Sequence, residues 1–96
     1  MSESIIKNSK SCYFCGSVRA LEKHHIMKGV ANRKLADKDG LWVWVCPECH
    51  RGTNGVHGKN GHGKDLTLKM TAEYAWMKHY GKTEYDFVQR YGKNYL

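Results

Sequence analysis

The sequence has no long hydrophobic run. No stretch approaches the ~20 consecutive apolar residues that a membrane-spanning helix needs. The first ten residues, MSESIIKNSK, also hold no apolar run of the length found in a secretory signal peptide. We therefore expect a soluble, cytoplasmic protein with no membrane partner.

Acidic residues are scarce. The chain has 9 Asp and Glu residues against 16 Lys and Arg residues, which gives a formal net charge of +7. Such an excess favours a polyanionic partner, and nucleic acid is the commonest one, so we expect DNA binding. Charge alone supports equally well a basic surface that only keeps a small protein soluble.

The chain is short and has a single proline. With 96 residues it is one domain, and its length is marginal for a self-sufficient hydrophobic core. Folds of this size often recruit a metal or disulfides. Pro47 suits the first position of a helix, which we expect to begin at Cys46 or Pro47.

The apolar pattern predicts a small α+β fold. LWVWV at 41–45 is dense in β-branched and aromatic residues and predicts a strand, and ALEKHHI at 20–26 predicts a shorter one. The polar stretch 29–40, with glycine at both ends, predicts a loop. We divide the chain into a frayed tail, a core and a helical extension, at residues 1–10, 12–56 and 64–96.

The extension is predicted to hold two helices. Leu66, Met70, Tyr74 and Met77 recur at helical spacing and predict a core stripe on a helix from Asp65 to Tyr80. Thr83 and Asp86 resemble a capping box that opens a last helix. The inward-facing residues of that helix are predicted to be Phe87, Val88 and Tyr91. Five glycines between residues 52 and 63 predict a flexible or turn-rich loop before the extension.

Four cysteines form two CxxC pairs, Cys12–Cys15 and Cys46–Cys49. Intracellular cysteines stay reduced, which disfavours disulfides, and knuckle spacing in both pairs argues against four unrelated buried cysteines. Four thiolates in two knuckles match a tetrahedral structural zinc site. The span between the pairs holds two strands and a loop, as a zinc-stapled treble clef requires. A closed four-cysteine site leaves no open coordination position, so this Zn²⁺ is structural.

Two histidines, His24 and His25, are adjacent in the first predicted strand. Successive side chains of a strand point to opposite faces, so the two are not expected to share a ligand or a pocket in the same way. Either one of them is incidental, or the two have different tasks.

The knuckle YFCG, the strand residues HHI and the helix start CPECHR resemble the HNH nucleases, also called His-Me finger or ββα-metal nucleases. The resemblance implies a metal-dependent DNA endonuclease that hydrolyses phosphodiester bonds. His25 would be the general base, and His24 and His50 would bind a catalytic divalent cation. Either Asn54 or His57 would supply a third ligand. The cation would be Mn²⁺, Ni²⁺, Mg²⁺ or Zn²⁺, and imidazole ligands favour manganese or nickel over magnesium.

The chain departs from this family's pattern in the segment between the strands. An asparagine that pins the loop holding the base usually opens the second strand, where this chain has Gly40-Leu41. Asn32 or an aspartate of the 29–40 segment would have to replace it. We also expect a backbone carbonyl to orient the second ring nitrogen of His25. The glycines after His50 shorten the usual helix.

The part of the chain from about Cys12 to Leu96 is similar to small phage-borne HNH nucleases, including the NGVHGKNGHG loop and the YGKNYL ending. This similarity implies a role in phage or prophage DNA processing or recombination, in the cytoplasm of the host cell. A homodimer would let so small a domain cut both strands, although no heptad pattern marks an interface.

Five basic residues are candidate phosphate contacts, which would position DNA without reading its sequence. They are Arg33, Lys34, Arg51, Lys59 and Lys64. For any single one, ordinary solvated charge is the simpler explanation. Two other functions stay open: a non-catalytic zinc-finger module that binds nucleic acid, and a phage adaptor that binds a host protein.

Overall fold

The computed structural model describes residues 3–96, which form an α+β fold with one two-stranded antiparallel sheet and four helices. In chain order the elements are β1 (Glu22–His25), α1 (Val30–Asp39), β2 (Trp42–Val45), α2 (Pro47–Arg51), α3 (His62–Tyr80) and α4 (Glu84–Tyr91). The α+β part of the predicted fold class is therefore confirmed. No helix in this part of the chain is both long and apolar enough to cross a membrane.

The sheet joins the two predicted strands. β2 matches the LWVWV prediction closely, and β1 is shorter than the predicted 20–26 segment. In the antiparallel register His24 lies opposite Val43 and His25 lies opposite Trp42. Val43 is fully buried, so the register places His24 on the core face of the sheet.

The segment from residue 29 to residue 40 is mostly helical, so the predicted loop is wrong. α1 ends where Gly40 adopts a left-handed conformation (φ 79°, ψ 23°) and donates its N–H to the Ala36 carbonyl. The polar composition suggested a loop, but Ala, Arg, Lys and Leu are good helix formers. Only Ala36 and Asp39 of this helix are buried, so its sequence carries almost no apolar periodicity.

The N-terminal segment packs against the sheet, which corrects the frayed tail predicted for residues 1–10. Ser4 Oγ donates to the Trp42 carbonyl over 2.6 Å, and the Ile5 N–H donates to the Gly40 carbonyl over 3.0 Å. Ile5 also contacts the buried core. The prediction for the first two residues lies outside the described part of the chain.

α2 starts directly from the second cysteine pair, as predicted. Cys46 is its N-cap in an extended conformation and Pro47 occupies its first position, where a missing N–H costs nothing. The helix spans five residues and ends at Gly52, whose N–H bonds to the Glu48 carbonyl. Its short length brings His50 close to the start of β1.

α3 begins at His62, three residues before the predicted Asp65, and its buried face is not the predicted stripe. Three members of that stripe have exposed fractions of 40%, 41% and 56%: Leu66, Met70 and Tyr74. Met77 is the member that packs against the core. The fully or nearly buried apolar residues of α3 are Leu68, Ala72 and Trp76.

Periodicity alone could not choose between these two faces. Each stripe repeats at helical spacing, and a shift of two residues rotates the stripe by about 200° around the helix. The choice is made by α4, whose Phe87 packs edge-on against Trp76 with ring centroids 5.5 Å apart. The helix therefore keeps a row of apolar side chains on its solvent face.

α4 is opened by the predicted capping box. Thr83 accepts from the Asp86 N–H, and the Asp86 carboxylate accepts from the Thr83 N–H. Phe87 and Tyr91 are buried as predicted, and Val88 is half-buried.

A buried carboxylate ties α1 to α3 and α4. Asp39 accepts hydrogen bonds from Trp76 Nε1 over 3.0 Å, from Tyr91 Oη over 2.7 Å and from both Nε and Nη2 of Arg90. The burial of this charge is offset because four donors satisfy it. The network fixes the C-terminal end of α1 and so helps to hold this helix beside the sheet.

Candidate metal centres

The two CxxC pairs meet in space. The thiol sulfurs of Cys12, Cys15, Cys46 and Cys49 all lie within 4.8 Å of one another. Cys15 Sγ and Cys46 Sγ are 3.6 Å apart. A zinc ion with Zn–S bonds of about 2.3 Å needs sulfurs about 3.8 Å apart at the corners of a tetrahedron. The four sulfurs therefore fit one tetrahedral metal ion such as zinc.

The thiol pKa values shift in opposite directions within this cluster. Burial raises the pKa of Cys12, but backbone hydrogen bonds from Cys46, Cys15 and Phe14 outweigh it and lower the pKa to about 6. Burial and the neighbouring sulfurs raise the pKa of Cys49 well above its ordinary value. One thiolate thus forms readily and opposes ionisation of another, because like charges repel. A bound divalent cation removes that opposition.

A second cluster consists of three histidines. One ring nitrogen from each of His24, His50 and His57 lies within 4.8 Å of the others. The ring centroids are 5.2 Å apart for His24–His50, 5.0 Å for His24–His57 and 4.8 Å for His50–His57. The three come from β1, from α2 and from the glycine-rich segment, and imidazole nitrogens are common ligands of zinc, nickel, copper and iron.

His24 is the buried member of this cluster. Its exposed fraction is 2%, and its Nε2 atom has no hydrogen-bond partner among the described residues. Burial, followed by the charges of His57 and His50, lowers the pKa of His24 to about 3. The ring is therefore neutral at physiological pH and holds a lone pair ready for a cation. Without a ligand, a buried polar atom that lacks a hydrogen-bond partner lowers the stability of the fold.

His50 is oriented by a carboxylate. Its Nδ1 donates to Glu22 Oε1 over 2.7 Å, and Arg51 holds the other oxygen of Glu22. The hydrogen bond from His50 lowers the pKa of Glu22, so the carboxylate stays ionised. Such a carboxylate fixes the tautomer of a ligating histidine and raises its basicity. Nε2 of His50 is then the nitrogen available to a metal.

His25 also contacts a carboxylate, although a backbone carbonyl was expected to orient it. Its Nε2 lies 3.2 Å from Asp37 Oδ1, and Lys23 Nζ lies 2.5 Å from the same oxygen. The hydrogen bond from Lys23 lowers the pKa of Asp37. Asp37 belongs to α1, in the segment where the sequence left a replacement for the missing asparagine open. The other candidate, Asn32, donates instead to the Tyr91 carbonyl.

Both histidines of the doublet border one cavity of about 300 Å³. The two do not border it in the same way, because His24 is buried in the histidine cluster and His25 contacts Asp37. β1 ends at His25, so the cavity reaches around the end of the strand to both faces. It is lined by the three clustered histidines, by His25 and by the residues Lys23, Met27, Lys28, Gly29 and Arg33.

The predicted phosphate contacts fall into two groups. Arg33 borders this cavity, and together with Lys34 it also lines a neighbouring cavity of about 510 Å³. The others lie elsewhere: Arg51 pairs with Glu22, Lys64 donates to the Asn54 carbonyl, and Lys59 is exposed. Asn54 is exposed and its side chain accepts from Asn60, so the structure brings His57, and not Asn54, to the histidine cluster.

Glycines fix the position of His57. Gly52, Gly55, Gly58 and Gly61 recur at every third residue, and each N–H from Gly55 onward bonds to the carbonyl of the preceding glycine. A Cβ on Gly58 would lie 1.9 Å from the Gly52 carbonyl oxygen. The His57 N–H donates to the His50 carbonyl over 2.9 Å. The segment is therefore a tight stack of turns. The sequence predicted either a flexible loop or a turn-rich one, and the structure has the turn-rich form.

The variant Gly58→Ala is expected to disturb the histidine cluster, because its Cβ would collide with backbone. We expect a loss of roughly 1–3 kcal/mol in the free energy of unfolding of the zinc-loaded protein, as for other overpacked sites. Affinity for a second metal ion should fall as well. Gly63→Ala is the matched control, because a Cβ there meets nothing within 4 Å. Thermal denaturation and Co²⁺ titration of the two variants compare them, and equal behaviour would contradict the stacked-turn model.

Two functional candidates were not singled out from the sequence. Glu22 lies two residues before His24, so alternation along a strand could have placed it on the same face and within reach of α2. Asp37 was included only as one of the aspartates of the 29–40 segment, because its contact with His25 depends on α1 being a helix. Comparison with known proteins adds no further residue or role: no protein-family model, no curated protein and no solved structure matches this chain.

Proposed function

We propose that this chain is a metal-dependent DNA endonuclease of the HNH type. One observation carries the proposal. The buried Nε2 of His24 has no partner in the described chain, faces the imidazoles of His50 and His57, and lies beside a cavity that His25 also borders. Three possible cation ligands thus lie next to His25, which is not one of them and which contacts the carboxylate of Asp37.

The order of the elements supports a treble-clef scaffold for this site. A first knuckle at Cys12 and Cys15 precedes the antiparallel pair of β1 and β2, and a second knuckle leads into α2. In such a scaffold the four-cysteine Zn²⁺ fixes the start of α2, and with it the position of His50, relative to β1. The zinc then has a structural role and the histidine cluster holds the catalytic cation.

His25 is assigned the role of general base. With Nε2–H donated to Asp37, its Nδ1 is the nitrogen that accepts a proton from water. The water oxygen attacks phosphorus, its proton passes to His25, and the bond between phosphorus and the leaving 3′ oxygen breaks. The leaving 3′ oxygen takes a proton from a second water molecule, which gives a 3′-hydroxyl beside the 5′-phosphate. Imidazole is the side chain that most often takes a proton from a nucleophile in this way near neutral pH.

The three histidines are assigned to a divalent cation. When bound, such a cation would neutralise charge that builds on the phosphate and on the leaving oxygen. Glu22 holds the ring of His50, the glycine stack holds the backbone of His57, and burial holds His24. A ligand set made of nitrogen favours manganese, nickel, cobalt or zinc over magnesium, which prefers oxygen.

The rival function is a non-catalytic zinc-finger module. It needs the same four cysteines and the same basic charge, but it gives no reason to keep His24 buried without a partner. An unsatisfied buried polar group costs about 1–3 kcal/mol. The histidine cluster therefore favours the nuclease.

The test is nicking of supercoiled plasmid by zinc-loaded protein in Mn²⁺, Ni²⁺, Co²⁺ or Mg²⁺. We expect nicked circles to form faster with manganese or nickel than with magnesium. His57→Ala should lose most of this activity, and Asn54→Ala, a change of similar size on the same segment, should keep it. Absence of nicking with every ion would refute the nuclease and favour the zinc-finger module.

DNA affinity is expected to fall linearly with salt concentration on a log–log scale. A protein that contacts several phosphates through Lys and Arg releases about 0.9 counterions for each one that it neutralises. Fluorescence anisotropy of a labelled duplex between 50 and about 300 mM salt measures the slope. Affinity independent of salt would contradict DNA binding and would favour the adaptor function.

A further inference from the structure

The cavity beside the three histidines is bordered by cations and by no carboxylate. Lys23, Lys28 and Arg33 line it together with the histidines, and its lining includes no Asp or Glu. Lys23 is held by Asp37, and Lys28 lies 3.6 Å from Asp65. Arg33 makes no ion pair with any described residue and is exposed. The free positive charge at the cavity is therefore carried by Arg33.

The N-terminus of α1 opens at the same place. Gly29 is its N-cap without a side-chain hydrogen bond, and the first turn contains no acidic residue. The first N–H of the helix with an acceptor in the helix is that of Arg33, which bonds to the Gly29 carbonyl over 2.8 Å. The N–H groups of residues 30–32 thus carry the positive end of the helix dipole without an internal partner.

The backbone at this N-terminus is open to a ligand. Gly29 has φ 98° and ψ 147°, a conformation essentially restricted to glycine, yet a Cβ there would meet nothing within 4 Å. Glycine is therefore required by the conformation and not by crowding. Gly29 lines the smaller cavity and Val30 lines the larger one. Lys23, His25 and Arg33 line both cavities.

A second feature of the smaller cavity also points to a ligand. His24 lines it, is 2% exposed and has an unpaired Nε2 atom. The cavity thus has a side made of histidines and a side made of Arg33 and of Gly29, the N-cap of α1. A phosphate group matches the chemistry of both sides, because its oxygens can bind a metal on one side and N–H donors on the other.

We propose that Arg33 and the N-terminal turn of α1 form a phosphate-binding subsite. It holds a backbone phosphate that neighbours the scissile phosphate in the nucleic-acid strand. The assignment to a nucleic-acid strand rests on the proposed nuclease function, but phosphate binding itself does not. Arg33 supplies paired N–H donors and the helix supplies backbone N–H groups, the combination that recurs in phosphate sites.

The probe is inorganic phosphate, titrated into ¹⁵N-labelled, zinc-loaded protein and followed by amide chemical shifts. The amides of residues 30–33 are expected to shift along a saturable curve. The amides at the start of α4 are an internal control, because the capping box of Thr83 and Asp86 already fills that N-terminus. Shifts of equal size at both helices, or none at α1, would overturn the subsite. Shifts at α1 that grow with phosphate concentration without saturating would mean an adventitious ion only, and would overturn it as well.

Two variants separate the subsite from general charge effects. Arg33→Gln is expected to weaken phosphate binding about tenfold, as loss of a charge-assisted bond does. Arg19→Gln removes the same charge from an exposed residue that lines neither of these two cavities, and should change binding less than twofold. Equal weakening by both variants would overturn the proposal.

A third variant distinguishes binding from folding. Val30→Asp places a carboxylate in the first turn of α1, where Val30 is 73% exposed. The carboxylate complements the helix dipole, so the melting temperature should stay the same or rise, while phosphate binding is lost. Retained phosphate binding would contradict the subsite. Because the titration needs no cleavage, a protein that binds phosphate at α1 and never nicks plasmid would refute the nuclease and leave the subsite standing.

Discussion

Removal of the zinc ion proposed for the four cysteines is expected to unfold most of the chain. Structural zinc in small domains contributes about 10–16 kcal/mol, more than the roughly 5–15 kcal/mol by which folded domains are usually stable. Cys12 and Cys46 belong to the same buried cluster as Val43, Val45 and Leu68. Chelation, or Cys46→Ser, should therefore remove the helical circular-dichroism signal and the cooperative thermal transition.

The substitution at Cys46 has a useful internal control. Cys46 is the N-cap of α2, and serine is a better N-cap than cysteine, so the helix itself should gain from the change. Any loss of folding in Cys46→Ser then comes from the metal site. A metal-free protein with its full helical signal and an unchanged melting transition would contradict a structural zinc.

The variants His24→Ala and His25→Ala are expected to fail in different ways. His25→Ala should keep the second metal ion and the affinity for DNA, yet cleave about 10²–10⁴ times more slowly, because only proton abstraction is lost. Lys23 and Asp37 still pair in this variant, so the fold around the cavity should be preserved. Plasmid nicking and metal content measured on the same sample separate these effects.

His24→Ala should lose the second metal ion while the four-cysteine zinc remains. His24 is the buried member of the cluster, and its Nε2 has no other partner in the described chain. Without it, His50 and His57 offer two nitrogens only. We expect one metal ion per chain in this variant and two in the wild type, by elemental analysis, with cleavage lost.

Histidines outside the cluster provide the control for both variants. His62 and His79 are exposed and belong to neither metal group. His62→Ala and His79→Ala should match the wild type in metal content and in nicking. If His25→Ala nicked plasmid as fast as the wild type with every ion, the doublet would be unexplained and the zinc-finger function would be favoured.

The sequence by itself determined the features that depend on residues close together in the chain. CxxC spacing predicted a metal cluster, LWVWV predicted β2, and Thr83 with Asp86 predicted the start of α4. Each is a short-range pattern with a direct physical cause: the reach of two thiolates to one ion, the fit of β-branched residues to a strand, and the pairing of a cap with its own helix. The local sequence sufficed because the partners are neighbours.

Only the tertiary structure decided the features whose partners are distant in the chain. α3 has apolar residues on two faces, and the packing of Trp76 against Phe87 selected one of them. α1 is anchored by Asp39, whose donors belong to α3 and α4, so its polar sequence resembled a loop. The helix in turn carries Asp37 to His25.

The same distinction applies to the candidate site. The sequence placed His24, His25 and His50 relative to the cysteine pairs, but left the choice between Asn54 and His57 open. The glycine stack decided that choice, because close backbone approach at Gly58 turns His57 toward the other two rings. Such an approach is possible because glycine has no side-chain atoms. The sequence shows where the glycines are, but not which part of the backbone packs against them.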